Sequence, residues 1–221
     1  MKIKQSYIWW GLGAVVVIGL LFSNKLLNPA PTPATNEEAS GILTIVSDDH
    51  VKGNPNAKVT LVEYLDFECE ACGAYYPLIK QLGTEFPNDL RIVTRYFPLP
   101  GHKNSMTAAI AVEAASKQGK YWEMHDKLFE TQETWGNKQM PTPQVFEAYA
   151  QEIGLDMAKF KADVADPTTK ARVQRDFDAS EKLGNNSTPS LFVQGKKIQN
   201  PRDYEEFKTL IQTEIDKTKN Q

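Results

Sequence analysis

The sequence predicts an α/β chain in which one connection of the sheet is swollen into a block of helices. Three observations carry this expectation. Val59–Leu65 and Leu90–Phe97 are short runs rich in Val, Ile, Leu, Tyr and Thr, and the stretch between them keeps helical character up to Pro87, as a strand–helix–strand unit requires. Residues 101–185 then read as successive helices, too long for a simple crossover. Finally, Ser190–Gln194 and Lys197–Ile198 flank Gly195-Lys196 as a hairpin, followed by a last striped helix.

The chain opens on Lys2 and Lys4, then runs uncharged and apolar from Tyr7 to Phe22, with Lys25 following. That pattern is either a cleaved secretory signal or a signal-anchor. Small-x-small positions occur only near Ala30 and Ala34, where Pro29, Pro31 and Pro33 crowd them, so the expectation is a transmembrane signal-anchor helix over residues 1–27. The basic end belongs in the cytoplasm and the rest outside. Residues 28–57 read as a Pro-rich tether and lead-in: Asn28–Ser40 extended, Gly41–Val46 a short strand, Asp48–Lys58 a turn. One domain is expected over 58–218.

Within it, about Cys69 to Phe86 reads as helix. Ser105–Gln118 is Ala-rich and apolar nearly all round, hence a buried helix. Tyr121, Trp122, His125, Leu128 and Phe129 recur at helical spacing, and these aromatics with Trp135 read as core rather than as a peptide groove. Thr142-Pro143 starts another helix. Asp156 is an N-cap, with Leu155 and Phe160 placed as a hydrophobic staple. Asp166-Pro167 begins a helix that ends near Gly184. Tyr204, Phe207, Leu210, Ile211 and Ile215 stripe the final one.

Composition narrows the function. The net charge is −3, and without Lys2, Lys4 and Lys25 there remain 22 basic residues against 28 acidic. A mildly acidic domain is no nucleic-acid binder. Only two cysteines are present, as Cys69-Glu70-Ala71-Cys72. Random placement gives that spacing about 1 time in 100. They stand where a strand hands over to a helix, so Cys69 faces unpaired N–H groups and the positive end of the helix dipole. That favours the reactive thiolate. Cys72, one turn on, is expected to be more buried and to resolve a mixed disulfide formed at Cys69. A structural metal needs more ligands than one such pair, and His50, His102 and His125 lack ligand spacing, so no metal and no cofactor are expected. Glu63 is an acid in the middle of an apolar strand, on the face of Leu61 and Leu65; it is either buried and functional or an edge-strand glutamate in water. Asp66, Glu68 and Glu70 crowd Cys69 with negative charge, which should push its thiol up.

Val59-Thr-Leu-Val-Glu-Tyr-Leu-Asp-Phe-Glu-Cys-Glu-Ala-Cys72, Arg95-Tyr-Phe-Pro-Leu99 and Thr188-Pro-Ser-Leu-Phe-Val193 together resemble the membrane-anchored branch of the DsbA-type thiol-disulfide oxidoreductases, over roughly Asp48–Thr218. The resemblance implies a thioredoxin fold with an inserted α-helical subdomain, at about 101–185. It implies a cis Pro189 against the sulfurs, leaving the backbone of Thr188 to pair with a client peptide. It makes Glu63 the proton acceptor for Cys72, with Arg95 near enough to offset its charge. Glu70 departs from the family pattern, which places proline after the first cysteine; with the acidic flank, this leads to the expectation of a milder oxidant. The function expected is an exported enzyme of the cell membrane, catalytic domain on the extracytoplasmic side (the periplasm where there is one), that donates disulfides to unfolded or partly folded proteins. A membrane partner of the DsbB or vitamin-K-epoxide-reductase type would reoxidise it. The alternatives are a reductase or isomerase fed by a membrane electron donor, and a redox-inactive binding or chaperone module of the same fold.

Overall fold

A computed structural model describes residues 34–138, 140 and 142–219. The expected signal-anchor at 1–27 and most of the tether lie outside these residues. No helix among those described is long and apolar enough to cross a membrane.

The elements run α1 (Asn36–Ile42), β1 (His50–Gly53), β2 (Val59–Leu65), α2 (Glu70–Glu85), β3 (Leu90–Tyr96), α3 (Ser105–Ser116), α4 (Tyr121–Glu130), α5 (Gln132–Trp135), α6 (Pro143–Glu152), α7 (Met157–Ala165), α8 (Pro167–Lys182), β4 (Ser190–Val193), β5 (Lys196–Lys197) and α9 (Tyr204–Lys219). The sheet order is β1-β3-β2-β4-β5. β2 and β3 are parallel, joined through α2, and the remaining pairings are antiparallel.

β2 is central and buried along its length apart from Thr60, which explains its run of apolar residues without clean alternation. Its two faces serve different layers. Val59 and Leu61, with Leu90, Ile92, Leu191 and Val193, pack beneath Leu82 of α2 and Phe207 and Ile211 of α9. Val62 and Tyr64, with Val93 and Phe192, meet Leu43, Phe177 of α8 and Leu183 just after it. The helical block has a core of its own around Val112, Met124, Trp135, Phe146 and Phe160, and this core runs on to Phe67 and Cys72. Tyr121, Phe129 and Trp135 are buried in it, as the helical spacing predicts. Asp156 caps α7 by accepting from Lys159 N at 2.9 Å, and Leu155 and Phe160 are both buried.

Three local expectations are corrected. Asn36–Ile42 is helical, where an extended tether and then a short strand are expected. Thr35 and Glu38 form a capping box: Thr35 N donates to Glu38 Oε2 at 2.8 Å, and Glu38 N donates to Thr35 Oγ1. This Thr-x-x-Glu signal stands directly after a Pro-rich run whose composition masks it. His50–Gly53 is an edge strand on β3 rather than part of a turn. The turn begins only after Gly53, at φ +85, where a Cβ would strike the Leu90 carbonyl. The last hairpin turns on Gln194-Gly195, both at positive φ, one residue earlier than expected.

Arg95 also sits differently from the expectation. On β3 it is opposite Tyr64, while Glu63 is opposite Thr94, so strand alternation sends the arginine to the other side of the sheet from the glutamate. There it binds Asp49 at 2.9 and 2.7 Å and the carbonyls of Ile42 and Thr44 at 2.6 and 2.8 Å. The pair is sealed, with side-chain exposures of 5% and 0%, and it fastens the 42–49 segment to the sheet. Arg95→Ala leaves Asp49 buried opposite no guanidinium and should cost about 3–5 kcal/mol in urea unfolding; an unchanged midpoint would show that the segment is held by other contacts.

Candidate active site

The segment 66–69 carries the chain from β2 into α2, and the site is assembled there. Cys69 is the N-cap of α2, in extended conformation (φ −71, ψ 120). It is half-buried, whereas Cys72 inside the first turn is wholly buried. Both cysteines are free thiols. Their environments make them chemically unequal. The Cys69 thiol is brought down to about 5, first by the hydrogen bond from Cys72, against the effect of burial, and further by the Thr188 side chain and the N–H groups of Cys72 and Ala71. Cys72 is pushed well up, mainly by burial, then by its bond to Cys69 and the neighbouring charges of Glu63 and Cys69. Asp66 N–H points at Cys72 Sγ, 3.5 Å away.

From the far side of the chain, the turn before β4 brings Thr188-Pro189 over the dithiol. This peptide bond is cis, and the Thr188 carbonyl lies 3.5 Å from Cys69 Sγ. Thus Cys69, Cys72, Thr188 and Pro189, remote in sequence, meet at one place. Glu63 is near enough for its charge to bear on Cys72; it is 4% exposed, in a central rather than an edge strand. No hydrogen bond or ion pair to its carboxyl is found among the described residues, and burial raises it to about 8. It borders a small cavity also lined by Tyr76, Lys80, Trp122, His125 and Phe129.

The acidic flank does not act as expected. The Cys69 thiol goes down, not up, because the hydrogen bonds it receives from Cys72 and the first-turn N–H groups outweigh burial. Asp66 accepts from Glu68 N at 2.9 Å, Leu99 N at 2.9 Å and His102 Nδ1 at 2.6 Å. Glu68, only 2% exposed, accepts from Asn104 N at 2.6 Å and Asn137 N at 3.1 Å. Glu70 accepts from Asn137 Nδ2 at 2.6 Å. These N–H bonds stabilise the carboxylates where they stand.

These bonds also reveal residues that carry no motif. Gln132, on α5, donates its amide to the carbonyls of Phe67 and Cys69 at 2.8 and 2.9 Å, holding the segment that presents the nucleophile. Asn104 links Glu68 to Thr142, whose N–H lies 2.7 Å from Asn104 Oδ1. The Thr-Gln-Glu-Thr stretch around Gln132 has no pattern that marks it; only the fold brings it to the dithiol. No cluster of residues suited to a metal ion is found among the described residues.

Two outcomes follow from this geometry. In the reduced protein Glu63 keeps its proton up to about pH 8, while in the unfolded chain it loses it near pH ~4. Stability therefore falls as pH rises through that window and levels off above it. Glu63→Gln should remove the decline, so its gain over the parent in urea unfolding grows from pH 4 to pH 8 and reaches a few kcal/mol; a gain independent of pH would show that Glu63 is not held protonated. Separately, a Cβ at Gly73 would collide with the Gln132 amide. Gly73→Ala should lower the melting temperature and slow Cys69 alkylation, and Gly73→Ala in a Gln132→Ala background should recover the melting loss in part.

Comparison with known proteins agrees with the geometry. The family model described as Thioredoxin matches residues 46–213. Oxidised BdbD from Bacillus subtilis is 26% identical, with a TM-score of 0.68 over 86% of this chain and all of that one. Wolbachia pipientis α-DsbA1, at 19% identity and a TM-score of 0.73 over 81% of this chain and 96% of that one, shares the fold. A Na(+)/H(+) antiporter NhaA 1 of Mycobacterium sp. (strain KMS) is 40% identical over 160 residues, 70% of this chain. The chain spans about a quarter of the length of such curated relatives, and the transport their names describe stays with those proteins. The chain belongs to the thioredoxin family.

Proposed function

We propose that this chain is a DsbA-type thiol-disulfide oxidoreductase that works outside the cytosol, tethered by residues 1–27, and that it donates its disulfide to unfolded or partly folded proteins. The observation that carries the direction is the inequality of the two thiols. Cys69 is half-buried and ionised at neutral pH, and Cys72 is sealed and protonated. A stabilised thiolate lowers the free energy of the reduced form, and a dithiol with a stabilised reduced form is an oxidant. The acidic flank, which argues for a milder oxidant or a reductase, is held in N–H contacts with other elements of the fold.

In the proposed cycle a client thiolate attacks Cys69 Sγ of the Cys69–Cys72 disulfide. The S–S bond breaks and its electron pair leaves on Cys72, which takes a proton from Glu63, itself protonated up to about pH 8; Glu63 then regains a proton from solvent. A second client thiolate attacks the client sulfur of the mixed disulfide and expels Cys69 as thiolate. The client leaves oxidised, and the enzyme holds one thiolate and one thiol. Thr188 and Pro189 form the wall against which the client backbone would lie. Reoxidation falls to a membrane partner of the DsbB or vitamin-K-epoxide-reductase type. The apolar run Tyr7–Phe22 between Lys4 and Lys25 supports the anchor and the extracytoplasmic placement.

Mixing the oxidised domain with a reduced, unfolded client should give stoichiometric disulfide transfer. Cys69→Ser should abolish it, and Cys72→Ser, incubated with a disulfide-bonded client that its Cys69 thiolate can attack, should trap the mixed disulfide, both visible on non-reducing gels. Absence of transfer with intact cysteines would favour a binding module. Repair of a scrambled client by the reduced form, without net oxidation, would favour an isomerase.

A further inference from the structure

The sequence between the two cysteines offers no cation, since Glu70 and Ala71 fill the positions, yet Cys69 is the thiol that must carry negative charge. A candidate comes from another part of the chain, where it acts on the same charges. The loop after β3 turns back at His102, whose Nδ1–H donates to Asp66 Oδ2 at 2.6 Å. Asp66 is fully buried and belongs to the same short segment as the nucleophile: its carbonyl accepts the Cys69 N–H at 3.1 Å, and its own N–H points at Cys72 Sγ. Its carboxylate takes three N–H donors in all, from Glu68, Leu99 and His102, which favour its anion against the upward push of burial. The histidine is thus held by a buried anion whose backbone touches both cysteines, while its own side chain stays 27% exposed and open to protons from solvent.

We propose that His102, fixed by Asp66, is the cationic counter-group of the Cys69 thiolate, so that protonation of the ring and reduction of the dithiol favour each other. His102 is a positioning residue of the charge and takes no part in bond making. The inference rests on Cys69 being the exchanging thiol.

The charges facing the ring are consistent with this. Burial alone would lower the His102 pKa, but the Asp66 bond and charge, the Cys69 thiolate and Glu68 together raise it. Asp66, Glu68 and Cys69 all come from the β2–α2 junction; on its own loop Lys103 is exposed, and Asn104 at the head of α3 is uncharged. In the oxidised protein the Cys69 sulfur is neutral in the disulfide, so one of the anions facing His102 is gone. Reduction by two electrons opens the S–S bond, leaves Cys69 as thiolate and Cys72 with one proton, and strengthens the hold on the proton of His102. Linkage makes the effect reciprocal: the factor by which reduction tightens the ring's proton is the factor by which ring protonation favours the thiolate. Below the His102 pKa the reduced form is favoured, hence oxidation of clients; as pH rises through it that advantage is lost.

The test uses the unmodified protein first. Proton NMR titration of the histidine ring signals in the disulfide and dithiol states should place the His102 midpoint higher in the dithiol state, by about five-fold or more in proton affinity, while His125, buried in the helical core, serves as the internal control. His102→Gln, whose amide can still donate to Asp66, should raise the proton affinity of Cys69 by the same factor in the pH dependence of alkylation and shift the equilibrium with glutathione toward the disulfide at pH 6. His102→Lys should restore both toward the parent values without a second inflection. A His102 midpoint identical in the two redox states overturns the inference, whether or not the variants fold. A dithiol that does not equilibrate with glutathione at all overturns the oxidoreductase reading as well; one that equilibrates while His102 titrates identically overturns this inference alone.

Discussion

Two chemically identical thiols, one helical turn apart, are made unlike by where the fold puts them. Everything else at the site depends on that difference. At the N-cap of α2 a sulfur meets the unpaired N–H groups of the first turn, and charge on it is welcome. Three residues on, the helix has carried the second sulfur under Phe67 and into the helical core, where charge is costly. Strand β2 sets this geometry, because it delivers Asp66, Phe67 and Glu68 in an order that buries all three and leaves Cys69 at the rim.

The polar residues around the dithiol look wasteful by composition, with three acids within five residues of the nucleophile. Their bonding explains them. Each anion is bound by backbone, amide or imidazole donors that belong to other elements: Leu99 and His102 after β3, Asn104 before α3, Asn137 after α5. The acids therefore join segments around the thiolate. A buried carboxylate with satisfied lone pairs makes a stiff joint, and removing either partner leaves the other uncompensated.

Much of this was legible in the chain and some of it was not. The Cys69–Cys72 spacing, the strand before it, the helix after it and the Thr188-Pro189 pair before a strand are local signals, and local signals survive without knowledge of the fold. Glu63 stood out because an acid in an apolar strand has to be explained. Arg95 misled because nearness in sequence motifs says nothing about which side of a sheet a residue faces; one step of alternation sends it to Asp49 instead. The charge of the acidic flank misled for a related reason, since formal charges can be counted from the sequence but their hydrogen-bond donors cannot. Gln132 and Asn104 were invisible, being ordinary amides whose role is defined only by the carbonyls and carboxylates the fold brings to them. Helix α1 was missed where a proline-rich composition outweighed a four-residue capping signal.

The amide of Gln132 joins the inserted helices to the carbonyl of the nucleophile itself. Any tilt of α5 against the sheet must either drag that carbonyl along or release it. A chain seated on the helical block could thus be felt at Cys69 before its own sulfur arrives, turning the insertion from a passive wall into a mechanical sensor of occupancy.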